Sequence, residues 1–264
     1  MPGPSTLNNT EHPTKLREPI AATSPRPPSP DLVTAIGTEI TSDLPNAEEI
    51  RVATPIFPYT TVCTVKTTVA NETIMGTGVL IGEGTILTAA HVLQPRQYPK
   101  ATAVQVSQGP WGQNLMQIRA WDVAPGWVDH KRPEDDLGVI WFNGDWPTLW
   151  PLVALYPAEA LEPKTCMVTI GGYPAREQST QLFASSNPLA QVDDERIAYW
   201  LDTDNGQSGS PIFLGSRDKP SRYIIGIHTD RKENSPTVDG KATNSGVRIN
   251  EAKFNLIQHW LEQA

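Results

Sequence analysis

The sequence predicts an all-β protein, and three observations carry that expectation. Short runs rich in β-branched residues recur along the chain, turn residues separate them, and long helical periodicity is scarce. The 25 prolines and 19 glycines among 264 residues supply the turns. With 38% apolar residues, the chain can bury one large domain or two small β-barrels that share an interface.

The elements follow in order. Residues 1–41 read as a leader without secondary structure. Ser24-Pro25-Arg26-Pro27-Pro28-Ser29-Pro30 lacks most of the donors a ladder needs and buries little. Such a leader can be an unstructured tail, a removable pro-segment, or a Pro-rich docking site. Order is expected from about residue 50. Thr61–Val69 is a strand. Thr73–Leu80 and Thr85–Thr88 form a pair turned at Gly82-Glu83-Gly84. A helical turn, Ala89–Leu93, follows, then strands at Val104–Val106, Gln117–Val123 and Leu137–Phe142. Trp146–Pro163, with four prolines, reads as a connector. A second set of strands is expected at Cys166–Ile170, Thr180–Ser185, Arg196–Asp202, Pro211–Phe213, Tyr223–His228 and Gly246–Ile249. At the end Asn250 can cap a helix over Glu251–Glu262, with Phe254, Ile257, Trp260 and Leu261 on one face.

Composition narrows the function. A formal charge of -8 and a pI near 5.1 repel a phosphate backbone, so nucleic acid is not an expected partner. No run of apolar residues is long enough to span a membrane. Met1–Pro19 has no apolar core of the kind an export signal needs. The two cysteines, Cys63 and Cys166, form no C-x-x-C pair, which argues against zinc. They are either two buried thiols or one disulfide. No metal or cofactor is expected.

Three segments carry reactive residue types. In Gly206-Gln207-Ser208-Gly209-Ser210-Pro211 a serine is flanked by glycines between two strands. The N–H groups of Gly206 and Ser208 can converge on one oxygen there, although an ordinary Gly/Ser turn has the same composition. In Leu87-Thr88-Ala89-Ala90-His91 a strand ends in small residues that let an imidazole sit against the backbone. A neutral imidazole takes a proton near neutral pH; a lone histidine can also be structural. In Asp135-Asp136-Leu137-Gly138 an acid opens an apolar strand. A buried carboxylate needs a partner, and a histidine N–H serves. Asp136 adjoins the apolar run, whereas Asp135 reads as an exposed turn acid.

The three occur in the order His, Asp, Ser. Thr-Ala-Ala-His, Asp-Asp-Leu-Gly and Gly-x-Ser-Gly-Ser-Pro together closely resemble the trypsin-like serine proteases over about residues 50–263. The resemblance implies two antiparallel six-stranded β-barrels, residues 42–150 and 151–250, and a C-terminal helix, 251–264, packed on the second barrel. It implies a serine endopeptidase with His91, Asp136 and Ser208 as triad and Gly206 and Ser208 as oxyanion donors. Its partners would be peptide or protein substrates, and the chain itself a monomer.

Within that family the chain most resembles the glutamyl endopeptidases. Gly226-Ile227-His228-Thr229 matches their pocket strand, Thr203 lies five residues before Ser208, and Gln207 is non-acidic. Thr203, His228 and Thr229 are then substrate-binding residues, and cleavage follows Glu or Asp. Leu44-Pro45-Asn46 resembles the start of one mature enzyme and would place processing near Ser42. Three alternatives stay open. Asp202 could face the pocket and select Arg or Lys, with Arg231 altering the pocket edge. The chain could also be a protease-fold module that binds without catalysis, or an acyl hydrolase acting on esters.

Overall fold

The computed structural model describes residues 49–53, 55–109, 112–146, 150–176, 181–216 and 219–264. The expected leader, 1–41, and the motif Leu44-Pro45-Asn46 lie outside them, as do residues 147–149 of the connector and Thr180.

The first half contributes β1 (Ile50–Arg51), β2 (Val62–Val69), β3 (Glu72–Gly82), β4 (Thr85–Thr88), α1 (Ala90–Leu93), β5 (Ala103–Ser107), β6 (Gln117–Val123), α2 (Pro125–His130) and β7 (Gly138–Asn143). Strands β2–β7 form a six-stranded antiparallel sheet in the order β5-β2-β3-β4-β7-β6. Met116 N donates to Val106 O at 2.9 Å, which draws the two edge strands together.

The second half contributes β8 (Leu152–Val153), β9 (Met167–Gly172), β10 (Phe183–Val192), β11 (Arg196–Tyr199), β12 (Pro211–Ser216), β13 (Lys219–Asp230), β14 (Thr237–Val238), β15 (Lys241–Ala242), β16 (Asn244–Arg248) and α3 (Glu251–Leu261). Six of these strands close a ring, β9-β10-β11-β16-β13-β12, because β9 pairs both β10 and β12. The expected pair of six-stranded barrels with a C-terminal helix is therefore the observed architecture. Two short strands extend the second ring. β8, inside the proline-rich connector, runs parallel to β13, and β1 pairs β10. Ile50–Arg51 thus joins the second sheet, although it lies within the stretch assigned above to the first barrel.

The central strands β7, β9 and β12 are largely apolar because both of their faces are buried. In β7, Ile140 and Phe142 fill the first barrel, while Val139 and Trp141 face the interface between barrels. In β12, Ile212 and Leu214 fill the second barrel and Phe213 faces the interface. Three cores result: one inside each barrel and one between them. Helix α3 closes the third. Ile257 and Trp260 are buried there. Trp141 Nε1 of the first barrel donates to Trp260 O at 2.9 Å. The helix expected on the second barrel is therefore also bonded to the first. Asn250 caps it as expected, accepting from Lys253 N at 3.0 Å.

Cys63 and Cys166 are free and buried. They sit in the separate interiors of the two barrels, which decides between thiols and disulfide. Burial pushes both thiols up, Cys166 to about 12.

Candidate active site

Pairing between β4 and β7 creates the first half of the site. Thr88 lies opposite Gly138, so residues just after Thr88 and just before Gly138 emerge at the same end of the barrel. Ala89 and Ala90 are fully buried and turn the chain into α1. Gly138 makes room for it, since a Cβ there would meet Leu93 Cδ1 at 2.8 Å. His91 and Asp136 are thereby brought face to face. Asp136 Oδ2 lies 2.6 Å from His91 Nδ1, and Oδ1 accepts from His91 N at 2.8 Å. The Asp136 side chain is 2% exposed and that of His91 27%. Trp127, on α2, backs the imidazole at 6.4 Å between ring centroids and donates to Gln94 O at 2.8 Å.

Burial disfavours the charged form of His91, but the Asp136 charge and hydrogen bond outweigh it, helped by Asp230. The net effect raises the imidazole above its usual value.

Asp135 corrects an expectation. It is buried rather than exposed. Arg132 Nε donates to its Oδ2 at 2.7 Å, and Lys253 Nζ lies 3.5 Å from its Oδ1. The two neighbouring acids thus serve different partners.

Ser208 comes from the loop between β11 and β12. Gly206 and Gly209 both have φ of +92°, a region that glycine enters without steric cost. A Cβ at Gly206 would lie 2.5 Å from Ala175 N, and one at Gly209 would collide with Thr77 O and Thr88 Oγ1. The serine loop is therefore pressed against the strand end that leads into His91. Hydrogen bonds hold it from both barrels. Thr77 N donates to Ser208 O at 2.8 Å, and Thr77 Oγ1 to Gly206 O at 2.8 Å. Gly209 N donates to His228 O at 2.8 Å and His228 N to Ser210 O at 2.9 Å. Among the described residues, no hydrogen bond joins Ser208 to His91, and the N–H groups of Gly206 and Ser208 meet no protein acceptor. Catalytic hydrogen bonds often tighten only with substrate bound.

The residues expected to bind substrate differ in their surroundings. His228 is buried. Its Nδ1 lies 2.8 Å from Tyr199 Oη. Burial, and to a smaller degree the charge of His91, pull its pKa down to about 4 against the opposing effect of Asp230. Thr203 Oγ1 is buried and has no hydrogen-bond partner among the described residues. The Thr229 hydroxyl donates to Asp230 Oδ2 at 2.9 Å. Asp202 turns outward, with a 45% exposed side chain 3.1 Å from Lys232 Nζ.

Two groups escaped the sequence reading. Arg196 Nη2 binds Asp230 Oδ2 at 2.6 Å and Ser245 Oγ at 2.5 Å. Its Nη1 donates to Pro133 O of the first barrel at 2.8 Å. Arg231, expected above to alter the pocket edge, is exposed. Tyr199 is the other omission. Its only signal was a polar-tipped aromatic in an apolar strand, which matches an ordinary core tyrosine equally well. Among the described residues no cluster of His, Cys, Asp or Glu is placed to hold a metal ion, and no helix is long and apolar enough to cross a membrane.

Comparison with known proteins adds to this geometry. The family model described as "Trypsin-like peptidase domain" matches residues 76–219. The chain is 24% identical over 223 residues to the extracellular metalloprotease of Bacillus subtilis, covering 82% of this chain and 68% of that protein. It is 24% identical over 221 residues to the glutamyl endopeptidase of Bacillus licheniformis, covering 80% and 66%. With a Staphylococcus aureus glutamyl endopeptidase it shares 23% over 237 residues, covering 83% and 58%. The chain thus spans between 58% and 68% of the length of these curated relatives. Among solved structures, a Glu endopeptidase in complex with MPD superposes with a TM-score of 0.62 at 18% identity, covering 83% of this chain and 98% of that one. An inactivated protease paralogue from the scabies mite superposes with a TM-score of 0.57 at 11% identity, covering 83% and 100%.

Proposed function

This chain belongs to the trypsin-like peptidase domain family of serine proteases, and from that membership we propose that it is an endopeptidase acting through Ser208, His91 and Asp136. The observation that carries the reading is the two-point contact of His91 with buried Asp136, at 2.6 and 2.8 Å. It stands at the strand end against which the Ser208 loop is pressed. Asp136 fixes the imidazole tautomer with the proton on Nδ1, leaving Nε2 as base. Ser208 Oγ attacks the peptide carbonyl as His91 takes its proton. The oxygen becomes negative as the carbonyl turns tetrahedral, and the N–H groups of Gly206 and Ser208 receive it. His91 then protonates the leaving amine, and water repeats the sequence on the acyl-enzyme.

We further propose cleavage after Glu or Asp. A neutral His228, held through Nδ1 by Tyr199, can present Nε2–H to a carboxylate, and the unpartnered Thr203 hydroxyl can add a second donor. Pockets that offer donors to a polar side chain discriminate against side chains that leave them unpaired. The relatives named glutamyl endopeptidase agree with this reading. Selection of Arg or Lys through Asp202 loses support, because that carboxylate pairs with Lys232 at the surface.

A second reading, a binding module without catalysis, draws on the missing Ser208–His91 hydrogen bond and on a fold shared with an inactivated paralogue. A fluorophosphonate probe separates the two. Labelling of the wild type and none of Ser208→Ala supports the endopeptidase; an unlabelled wild type sinks it. Mapping cuts in a mixed peptide library then tests the pocket, with cuts after Arg or Lys counting against it.

A further inference from the structure

The segment before the first barrel is tied to the second one. Ile50 and Arg51 pair with Ala184 and Phe183, and Val52 N donates to Leu182 O at 2.8 Å. This places Glu49 beside the loop that carries Ser208. Its carboxylate is 9% exposed and meets Arg176 Nη2 at 2.6 Å. Arg176 Nη1 in turn lies 3.7 Å from Asp204 Oδ2, and its guanidinium sits 4.7 Å from the Phe183 ring centroid. Asp204 and Gln207 close the loop upon itself. Asp204 N donates to Gln207 Oε1 at 2.8 Å, and Gln207 N to Asp204 O at 3.2 Å. Burial pushes the Glu49 carboxyl above its usual value, while Arg176 and the buried Gln207 side chain act against that and favour the carboxylate. Ala175 N, next to Arg176, donates to Asn205 O at 2.6 Å.

A loop with glycines at both 206 and 209 is intrinsically soft, since each peptide there can rotate cheaply. Something must select the conformer in which the Gly206 and Ser208 N–H groups stay unpaired and available. Thr77 holds one side of the loop. Glu49 and Arg176 hold the other, through an ion pair whose carboxylate is buried and whose guanidinium side chain is half exposed. We propose that Glu49 and Arg176 are positioning residues that keep the Asp204–Ser208 loop competent to receive a substrate oxygen. This rests on the endopeptidase reading above.

The test uses the full chain and a fluorophosphonate. In that reaction the Ser208 Oγ–P bond forms, the P–F bond breaks, fluoride leaves, and the serine proton passes to His91. Glu49→Gln and Arg176→Ala should each lower the maximal labelling rate tenfold or more, with the probe's half-saturating concentration within twofold of wild type. Urea midpoints should barely change. Arg176→Lys should recover part of the rate, and Glu49→Gln with Arg176→Ala should be no slower than the slower single variant. If the wild type labels and both single variants keep its rate within twofold, the inference is overturned while the endopeptidase reading stands. It is equally overturned if rate and urea midpoint fall together, since that marks a general loss of structure. A wild type that does not label overturns both.

Discussion

Burial works against a positive charge on His91 and Asp136 works for it; the carboxylate wins. Catalysis as proposed needs the neutral imidazole. Activity should therefore rise with pH, its acid limb centred above the ordinary histidine value of about 6.5. Asp136→Asn removes the charge that raises it and can hold the wrong tautomer. A loss of about 10⁴ in kcat is expected, with the limb moving to lower pH, and a kcat/KM profile of both proteins checks this. His228 is tuned in the other direction. His228→Ala should reduce kcat/KM for a Glu-containing peptide by at least about tenfold, a little over 1 kcal/mol. Unchanged kinetics would remove it from the pocket. Asp136 could be read from the sequence because it abuts an apolar run. Its neighbour Asp135 could not be read as buried, because Lys253, one of its partners, lies more than a hundred residues away.

Strands were legible where β-branched and apolar residues cluster between turn residues. β2, β4 and β7 fall close to their expected limits. The hairpin of β14 and β15 was not foreseen, since two-residue strands carry no period. Helix α2 was also missed; it is held by Trp127 packing behind the imidazole. Tightly approached loops give a prediction of their own. Gly209→Ala puts a methyl group onto Thr77 O and Thr88 Oγ1 at a φ of +92°. It should cost about 1–3 kcal/mol from the backbone conformation alone, and fluorophosphonate labelling should fall with it. In helix α3, Trp260→Ala opens the interface core and should lower stability by about 3–5 kcal/mol in urea unfolding.

Across the whole molecule the two barrels share one core, so unfolding should be a single transition that responds to protons bound anywhere in it. His228 dominates one window. Its folded pKa is about 4, against about 6.5 unfolded, so between these values the unfolded chain holds the extra proton. The stability this contributes is complete above about pH 6.5 and declines by about 3 kcal/mol as the pH falls to 4. Urea midpoints at pH 7 and 4.5 measure it, and His228→Gln should flatten the difference. His91, with its raised value, has the opposite sign: its contribution is full at low pH and lost as pH rises through its folded pKa.

Strand pattern and turn residues by themselves determined the all-β class, and three short motifs carried the resemblance from which the twin barrels and the candidate site residues were expected. These are local properties: an apolar period and a small residue beside a reactive one are written into neighbouring positions. Tertiary structure alone decided the rest. It turned Asp202 outward to Lys232, separated the cysteines into two interiors, and carried Glu49 across to the serine loop. Each of these outcomes depends on which distant side chains a fold brings within a few ångströms, and no local pattern in the chain encodes that distance.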